Sequence, residues 1–548
     1  MDMRKKWKAM AAVCMSCGLL AAQITGCGQK EEGTVTVSSA ETDTVPSPEV
    51  QTSQSEKQKS ITYDEEDLDV SWDENSATGI VMDESGITVV GKGARADGNT
   101  VVIEKAGTYV LSGVLSDGQI CMEAEEGETV HLVLNGAEIS CQTSSPIYSS
   151  GKCKVVLTLE AETKNRVSDG AEYQFAEGAD EPDAAIFTKG DLTVNGTGEL
   201  DVTGNYACGI RSKDDLKVVS GVIRVNAKED GLKGRDSVVI RDGQIDLVTG
   251  KDGIKSNNDE EEDKGYIRID GGVISITAED DGIQAETALV VNDGEIEIRE
   301  CQEGLAGKTV DILGGVIAVN AQDDGINSAG PAETEQEKMQ NQKDVYLRIT
   351  GGEVRVNAQA DGIDSNGDFY MEGGVLYLSG PTGGGNGILD YNGKAVLTGG
   401  TMIAAGNAGM MQTFGADSVQ NYLVVYYDER QEAGTVVQLT DAAGEELAEY
   451  APEKEFSVVI LTAPGLEKGK TYRVVTGENI VELTVSGLET SQGTPPEGGR
   501  GMRGQGGRGS EGMKLPEEGG GKKERAGNPD NPDRPARGMK QETEDSAE

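Results

Sequence analysis

The sequence predicts an all-β fold in which a parallel β-helix occupies the centre and a small antiparallel β-domain follows it. Three observations support this. A motif of alternating apolar residues ending in acid-Gly-Ile or acid-Gly-Leu occurs six times between residues 223 and 363. Two apolar columns stay in register through all copies, as strands require and helices do not. Without two polar insertions the period is about 22 residues, which is typical of a solenoid.

The N-terminal segment, residues 1–27, predicts a signal peptide. A basic start precedes an apolar run that is too short for an ordinary transmembrane helix. Ile24-Thr25-Gly26-Cys27 then resembles the bacterial lipobox, which implies cleavage before Cys27 and a lipid on its sulfur. The polar residues 28–60 are predicted to be a disordered tether. We therefore expect a protein anchored in the cell membrane and facing outward.

The remaining chain divides into three predicted parts. Residues 61–415 form the β-helix, whose corners carry a glycine in each copy because a sharp bend favours positive φ. Residues 420–488 contain longer strands and are predicted to form the small C-terminal β-domain. Residues 490–548 are rich in Gly, Arg and Glu and are predicted to be a disordered tail.

Composition restricts the possible functions. The formal net charge of −47 leaves no basic stripe for nucleic-acid phosphates, so a nucleic-acid partner is not expected. Aromatic residues make up only 4 % of the chain, which weakens neutral-sugar binding by ring stacking. The cysteines after Cys27 are odd in number and lack metal-ligand spacing, so we expect neither a disulfide framework nor a zinc site.

The repeated acids predict a line of carboxylates. Equivalent residues of a β-helix stack about 4.8 Å apart, and adjacent charges at that distance repel by about 3.5 kcal/mol at an effective dielectric constant of 20. Calcium bound by oxygen ligands would offset this repulsion. The alternative is that each acid only caps backbone amides in an Asp-Gly turn. The predicted calcium ligands are Asp230, Asp252, Asp280, Asp281, Asp323, Asp324, Asp361, Asp364, Asn226, Asn320 and Asn357.

Several long motifs carry a family resemblance. EPDAAIFTKGDLTVNGTGELDVTGNY, SKDDLKVVSGVIRVNAKEDGL, DGIKSNNDEEEDKGYIRIDGGVISITAEDDGIQAET and FSVVILTAPGLEKGKTY resemble the clostridial cell-surface β-helix carbohydrate-binding family. The resemblance implies a right-handed parallel β-helix similar to that of pectate lyases, bound calcium, and binding of cellulose or polygalacturonate without demonstrated cleavage. Cys208 and Glu303 depart from the Asp-Gly pattern of the repeats.

Three functions follow as hypotheses. The first is calcium-bridged binding of pectin, possibly also of cellulose, with Tyr206, Lys255 and Tyr266 as candidate sugar contacts. The second is a calcium-dependent polysaccharide lyase, in which a basic side chain removes the proton beside the uronate carboxyl group. The third is a structural surface adhesin. The candidate bases of a lyase are Lys233, Arg235, Lys251 and Lys255.

Overall fold

The computed structural model describes residues 63–83, 86–175, 177–332 and 334–495. The predicted signal peptide with Cys27, the tether 28–60 and all but the first residues of the tail lie outside the described residues. The described part is all-β apart from two single-turn helices, Glu65–Leu68 and Glu335–Lys338. Neither of these helices has the length or the apolarity needed to cross a membrane.

Most strands belong to three ladders in which successive strands pair in parallel. Ladder 1 consists of Gly107–Leu115, Thr129–Cys141, Lys164–Asp169, Glu199–Gly204, Val222–Ala227, Gln244–Thr249, Val273–Ala278, Glu295–Cys301, Val316–Ala321, Glu353–Ala358, Val375–Ser379 and Thr401–Gly406. Ladder 2 consists of Thr100–Ile103, Gln119–Met122, Ile147–Ser149, Ala184–Thr188, Cys208–Ser212, Leu232–Gly234, Ile254–Ser256, Ile283–Ala285, Leu305–Gly307, Ile326–Ser328, Ile363–Ser365 and Leu389–Tyr391. Ladder 3 starts on the first half of Thr129–Cys141 and continues through Lys154–Leu159, Leu192–Gly196, Asp215–Val218, Ser237–Ile240, Tyr266–Ile269, Ala288–Val291, Thr309–Ile312, Tyr346–Ile349, Asp368–Met371 and Ala395–Leu397.

The chain visits ladder 1, ladder 2 and ladder 3 in turn and then returns to ladder 1, which is compatible with a β-helix. The predicted apolar columns are register partners: Ile223 pairs with Ile245, which pairs with Ile274. These residues are buried, and together with the apolar faces of the other two ladders they form one continuous core. Period-2 alternation therefore identified the buried face of these ladder-1 strands correctly.

The two polar insertions leave the register intact. Each follows a ladder-2 strand and ends before the next ladder-3 strand. Val238 still pairs with Ile267 across the first insertion, and Val310 pairs with Leu347 across the second. The insertions therefore lengthen loops without shifting any buried column.

Antiparallel strands lie at both ends. At the N-terminal end Thr78–Asp83 pairs with Gly86–Val90, and Ala94–Asp97 pairs with the first strand of ladder 2. At the C-terminal end Phe456–Thr462 pairs antiparallel with the last strand of ladder 1. The strands after residue 420 are Tyr422–Gln431, Val437–Asp441, Glu446–Tyr450, Phe456–Thr462, Thr471–Thr476, Asn479–Thr484 and Glu489–Gln492.

Glycines serve two different purposes in each repeat. The corner glycines have positive φ, as predicted, for example 87° at Gly315 and 72° at Gly374. The glycine of each acid-Gly motif is needed for space instead. A Cβ added to Gly325 would overlap the Val356 side chain and lie 2.6 Å from the Gly362 carbonyl oxygen.

We expect Gly325→Ala to lower the free energy of unfolding by about 1–3 kcal/mol, because the added methyl group has no room. Gly383→Ala is the matched control, since a Cβ there meets nothing within 4 Å. Thermal unfolding followed by circular dichroism measures the difference. Equal melting temperatures for the two variants would show that the motif glycines are not required for close packing.

Candidate functional site

The six repeated acids line the turn between ladder 1 and ladder 2. We call them the acid column: Asp230, Asp252, Asp281, Glu303, Asp324 and Asp361. Backbone pairing fixes their stacking, because the glycine after each acid donates its N–H to the carbonyl of the next acid, as Gly253 does to Asp281 at 2.9 Å. The first three carboxylates are buried, with exposures of 1 %, 1 % and 7 %.

One oxygen of most column acids caps a backbone amide. Asp252 Oδ1 accepts a hydrogen bond from the N–H of Asp281 at 3.1 Å, and Asp324 Oδ1 accepts one from the N–H of Asp361 at 2.8 Å. Asp230 and Asp281 make the same bond to the following acid. The amide-capping interpretation is therefore confirmed for one oxygen of these acids, which leaves the second oxygen for another partner.

That partner changes along the fold. The outward-facing middle residues of the last seven ladder-2 strands stack in register with one another, and we call this set the partner column. Its members in order are Lys233, Lys255, Gln284, Ala306, Asn327, Asp364 and Asp390. The partner column thus runs from basic through neutral to acidic residues. The carboxylates of the acid column therefore lie beside lysine ammonium groups at one end and beside further carboxylates at the other.

At the basic end the acids are neutralised by the protein itself. Lys233 Nζ lies 2.6 Å from Asp230 Oδ2, and Lys255 forms an ion pair with Asp252. Burial opposes ionisation of Asp230, but the Lys233 ammonium outweighs it and holds the pKa of Asp230 below its usual value.

From the middle of the acid column to its acidic end, burial and like charge work together. Burial, with Glu303 and Asp252 nearby, raises the pKa of Asp281 to about 8. Burial and Asp361 raise the pKa of Asp324 to about 7. Burial, followed by Asp324 and Asp361, raises the pKa of Asp364 to about 8. These carboxylates are therefore short of positive charge.

An amide oxygen at the same end lacks a partner. Asn327 Nδ2 donates to Glu303 Oε2 at 2.9 Å, whereas the buried Oδ1 of Asn327 has no hydrogen-bond partner among the described residues. A buried polar atom without a partner is costly. The oxygen-only donor set of Asn327 and the surrounding carboxylates fits a hard divalent cation such as calcium.

A second group of acids lies in the middle of the column. Asp252, Asp280 and Asp281 each offer one oxygen, and these oxygens lie within 4.8 Å of one another. Asp280 is exposed, and Asp252 already has Lys255 as its partner. An ion at this position would compete with the Lys255 ammonium group for Asp252.

The other predicted calcium ligands lie apart from these contacts. Asn226, Asn320 and Asn357 are on ladder-1 strands, and Asn357 Nδ2 donates to Asn320 Oδ1 at 3.2 Å. Asp323 is exposed beside Asp324. The sequence did not single out Asp390, because its copy of the motif has Gly387 where the other copies have the acid. Only the pairing of Asp364 with Asp390 reveals it.

The predicted bases of a lyase are all engaged in ion pairs. Besides Lys233 and Lys255, Lys251 lies 2.9 Å from Glu229 and Arg235 lies 2.5 Å from Glu260. Burial alone would lower the pKa of Lys255, but Asp252 reverses the effect and raises it. Lys255 therefore stays protonated at neutral pH, which is unfavourable for a general base.

The predicted sugar contacts are partly covered. Tyr206 is half-buried and stacks on Tyr173 with ring centroids 4.1 Å apart. Tyr266 is only 2 % exposed and packs against Val239, Ala288 and Tyr63, so its ring is not accessible to a sugar in this structure. Lys255 retains 24 % side-chain exposure beside its ion-pair partner.

The fold and site define an all-β protein with stacked parallel strands and a column of stacked carboxylates. The carbohydrate-binding domain-containing protein family matches residues 97–334 and 301–421, more than half of the chain. The chain belongs to this family.

Two individual proteins are similar to parts of the chain. A carbohydrate-binding domain-containing protein of Acetivibrio thermocellus is 37 % identical over 128 residues, which are 23 % of this chain and 45 % of the relative. The chain thus matches less than half the length of that relative. A solved structure described as the polysaccharide lyase-like protein from C. thermocellum, gadolinium derivative, is 34 % identical with a TM-score of 0.40, covering 44 % of this chain and 93 % of the other.

We expect stability in chelator to fall as the pH rises from about 4 to about 8. The pKa of Asp364 is raised from 3.8 to about 8, so its proton stabilises the folded chain fully below pH 3.8 and this contribution is lost as the pH passes through 8. The unfolding free energy of Asp364→Asn should therefore fall by roughly 1–3 kcal/mol less over this pH range than that of the unsubstituted chain. Asp259→Asn, at an exposed position, should show the same decrease as the unsubstituted chain. Thermal unfolding at pH 5 and pH 9 compares them; equal decreases would contradict the interpretation.

The lysine at the basic end provides a separate test. Lys255→Met leaves a buried carboxylate unpaired and should cost about 3 kcal/mol. Lys251→Met removes a more exposed ion pair and should cost about 0.5 kcal/mol. Chemical denaturation measures both. If the two substitutions cost the same, Lys255 does not neutralise the column.

Proposed function

We propose that the chain binds an acidic polysaccharide, polygalacturonate, through calcium ions held at the acidic end of the acid column. The supporting observation is the unbalanced charge there: Asp324, Asp361 and Asp364 have raised pKa values and no cationic member in their part of the partner column. Family membership supports carbohydrate as the ligand class.

The residues that would hold calcium are Asp324, Asp361, Asp364 and Asn327. Calcium bound there would supply positive charge that the uronate carboxylates of the polymer can share. Both protein and polymer are anionic, so contact without a cation would be repulsive. The repeating column suits an extended polymer, because equivalent residues recur at the rung spacing.

The proposal includes the finer features of the fold and location. The ladders would wind as a right-handed β-helix of about 22 residues per turn, similar to pectate lyases. The lipid on Cys27 would hold the protein at the outer face of the bacterial cell membrane. Cellulose is a less favourable ligand, because Tyr206 and Tyr266 have limited free ring surface.

Affinity electrophoresis of the full-length chain tests this function. Gels contain polygalacturonate with either calcium or chelator and are stained for polymer after the run. We expect retardation that is clearly stronger with calcium than with chelator, and no cleared zone in either gel. A cleared zone would favour a lyase, and mobility unchanged by polymer in both gels would favour an adhesin.

Variants locate the binding site. Asp324→Asn combined with Asp364→Asn should weaken calcium-dependent retardation at least about tenfold, because two of the four proposed ligands lose their charge. Asp259→Asn, on an exposed insertion, is the matched control. Retardation of the double variant at the wild-type level would place the calcium-dependent site elsewhere.

A further inference from the structure

A short N-terminal segment lies across the outward face of ladder 3. We call residues 63–72 the strap. Its only helix is the single turn Glu65–Leu68, and its contacts lie far away in the sequence. Tyr63 Oη donates to Asp270 Oδ2 at 3.0 Å, and Trp72 Nε1 donates to Glu160 Oε2 at 2.6 Å. The strap therefore bridges several successive strands of ladder 3.

The centre of the strap is a buried carboxylate. Asp67 is 0 % exposed and accepts hydrogen bonds from Thr193 Oγ1 at 2.6 Å and from Lys217 Nζ at 2.7 Å. Lys154 Nζ lies 3.1 Å from the same carboxylate and 2.6 Å from Asp64. Burial opposes ionisation of Asp67, but the bonds from Lys217 and Thr193 hold its pKa below the usual value. Two lysines of the ladder thus bind strap carboxylates.

An aromatic ring occupies the next part of the face. The Tyr63 ring lies beneath two guanidinium groups, with Arg241 and Arg268 at 5.7 and 5.8 Å from its centroid. It also packs against the cluster that contains Tyr266. The strap therefore presents one ring to arginine and tyrosine, and the carboxylates of Asp64 and Asp67 to lysine.

The ladder-3 surface beneath the strap carries cationic side chains, in contrast to the acidic chain as a whole. Thr193, Lys217, Val239 and Arg268 are consecutive register partners, so they form one outward column over three rungs, about 14 Å long. Two members are cationic in a protein with a net charge of −47. The acids on this face are Asp215, which accepts from Ser237, Asp270, which pairs with Arg268, and Glu160.

A structural brace alone does not require this chemistry. A buried ion pair contributes little net stability, because desolvation of both charges offsets their attraction. Apolar contacts would hold a strap at least as well. The same lysines and arginines are, however, suited to carboxylates and ring faces arranged along a line. The rung spacing is similar to the length of one pyranose unit.

We infer that the ladder-3 face beneath the strap is a second binding site, for the carboxylates and rings of an anionic oligosaccharide, and that the strap occupies it when no ligand is bound. This site needs no calcium, since lysine and arginine contact the ligand directly. It depends on the proposed function only for the class of ligand. An incoming uronate would replace the Asp67 carboxylate on Lys217 and Lys154, so neither lysine would lose its partner.

Trp72 reports whether the strap moves. The chain has two tryptophans, Trp7 and Trp72, so Trp7→Phe leaves one emitter. Tetragalacturonate is titrated into this full-length chain in chelator, which removes the calcium-dependent site. We expect a saturable change in Trp72 emission. Fully methyl-esterified tetragalacturonate, which lacks the charges, should produce none.

Matched variants then separate ligand binding from strap stability. Asp67→Asn loosens the strap and should lower the apparent Kd at least about tenfold, because a larger fraction of molecules has an open site. Asp73→Asn, at an exposed position whose side chain bonds to nearby Asn75 and Ser76, should leave it unchanged. Adding Lys217→Gln to Asp67→Asn should abolish the gain.

The wild-type titration alone can overturn the inference. If Trp72 emission stays constant up to high millimolar tetragalacturonate in chelator, the strap is only a brace, and this holds even if Asp67→Asn fails to fold. Equal apparent Kd values for Asp67→Asn and Asp73→Asn would also overturn it. Retardation in the calcium gel would be unaffected by either outcome, so failure here is distinguishable from failure of the proposed function.

Discussion

Repulsion between stacked carboxylates is the constraint on which the site depends. Parallel pairing places equivalent residues one rung apart, so an acid that recurs in every repeat meets its own copies. Backbone amides relieve part of the repulsion through the Oδ1 atoms, as between Asp252 and Asp281. Lys233 and Lys255 relieve it further at one end. Toward the other end the partner column continues as glutamine, alanine, asparagine and aspartate, none of which carries a positive charge.

The same constraint explains why the two ends of one column differ chemically although the motif is repeated. Asp230 and Asp361 lie at opposite ends of the acid column, yet the pKa of the first is lowered and that of the second is raised to about 6. Lys233, three positions after Asp230, lowers the pKa of that acid, whereas burial, with Asp390 and Asp323 nearby, raises the pKa of Asp361. Strands with the same backbone pairing can thus carry side chains whose charge changes from one end of the ladder to the other.

The sequence was sufficient for the buried columns but not for the pairing of charges. Ile223, Ile245 and Ile274 could be aligned because alternation and a fixed spacing determine register directly. The opposition of Lys255 and Asp252 depends on side-chain conformation after a sharp turn, which no periodicity encodes. The contacts of the strap could not be predicted from the sequence for a different reason. Asp67 and Lys217 are 150 residues apart, and Asp67 precedes the repeats.

The loops between ladder 2 and ladder 3 show that this edge tolerates added sequence. Both polar insertions leave from this edge, and the strands on either side keep their pairing. Successive loops on the same edge are separated by whole rungs, so foreign peptides grafted there would be displayed at fixed intervals along one line. The fold is therefore suited to presenting epitopes or enzymes on a surface at separations that are multiples of the rung spacing.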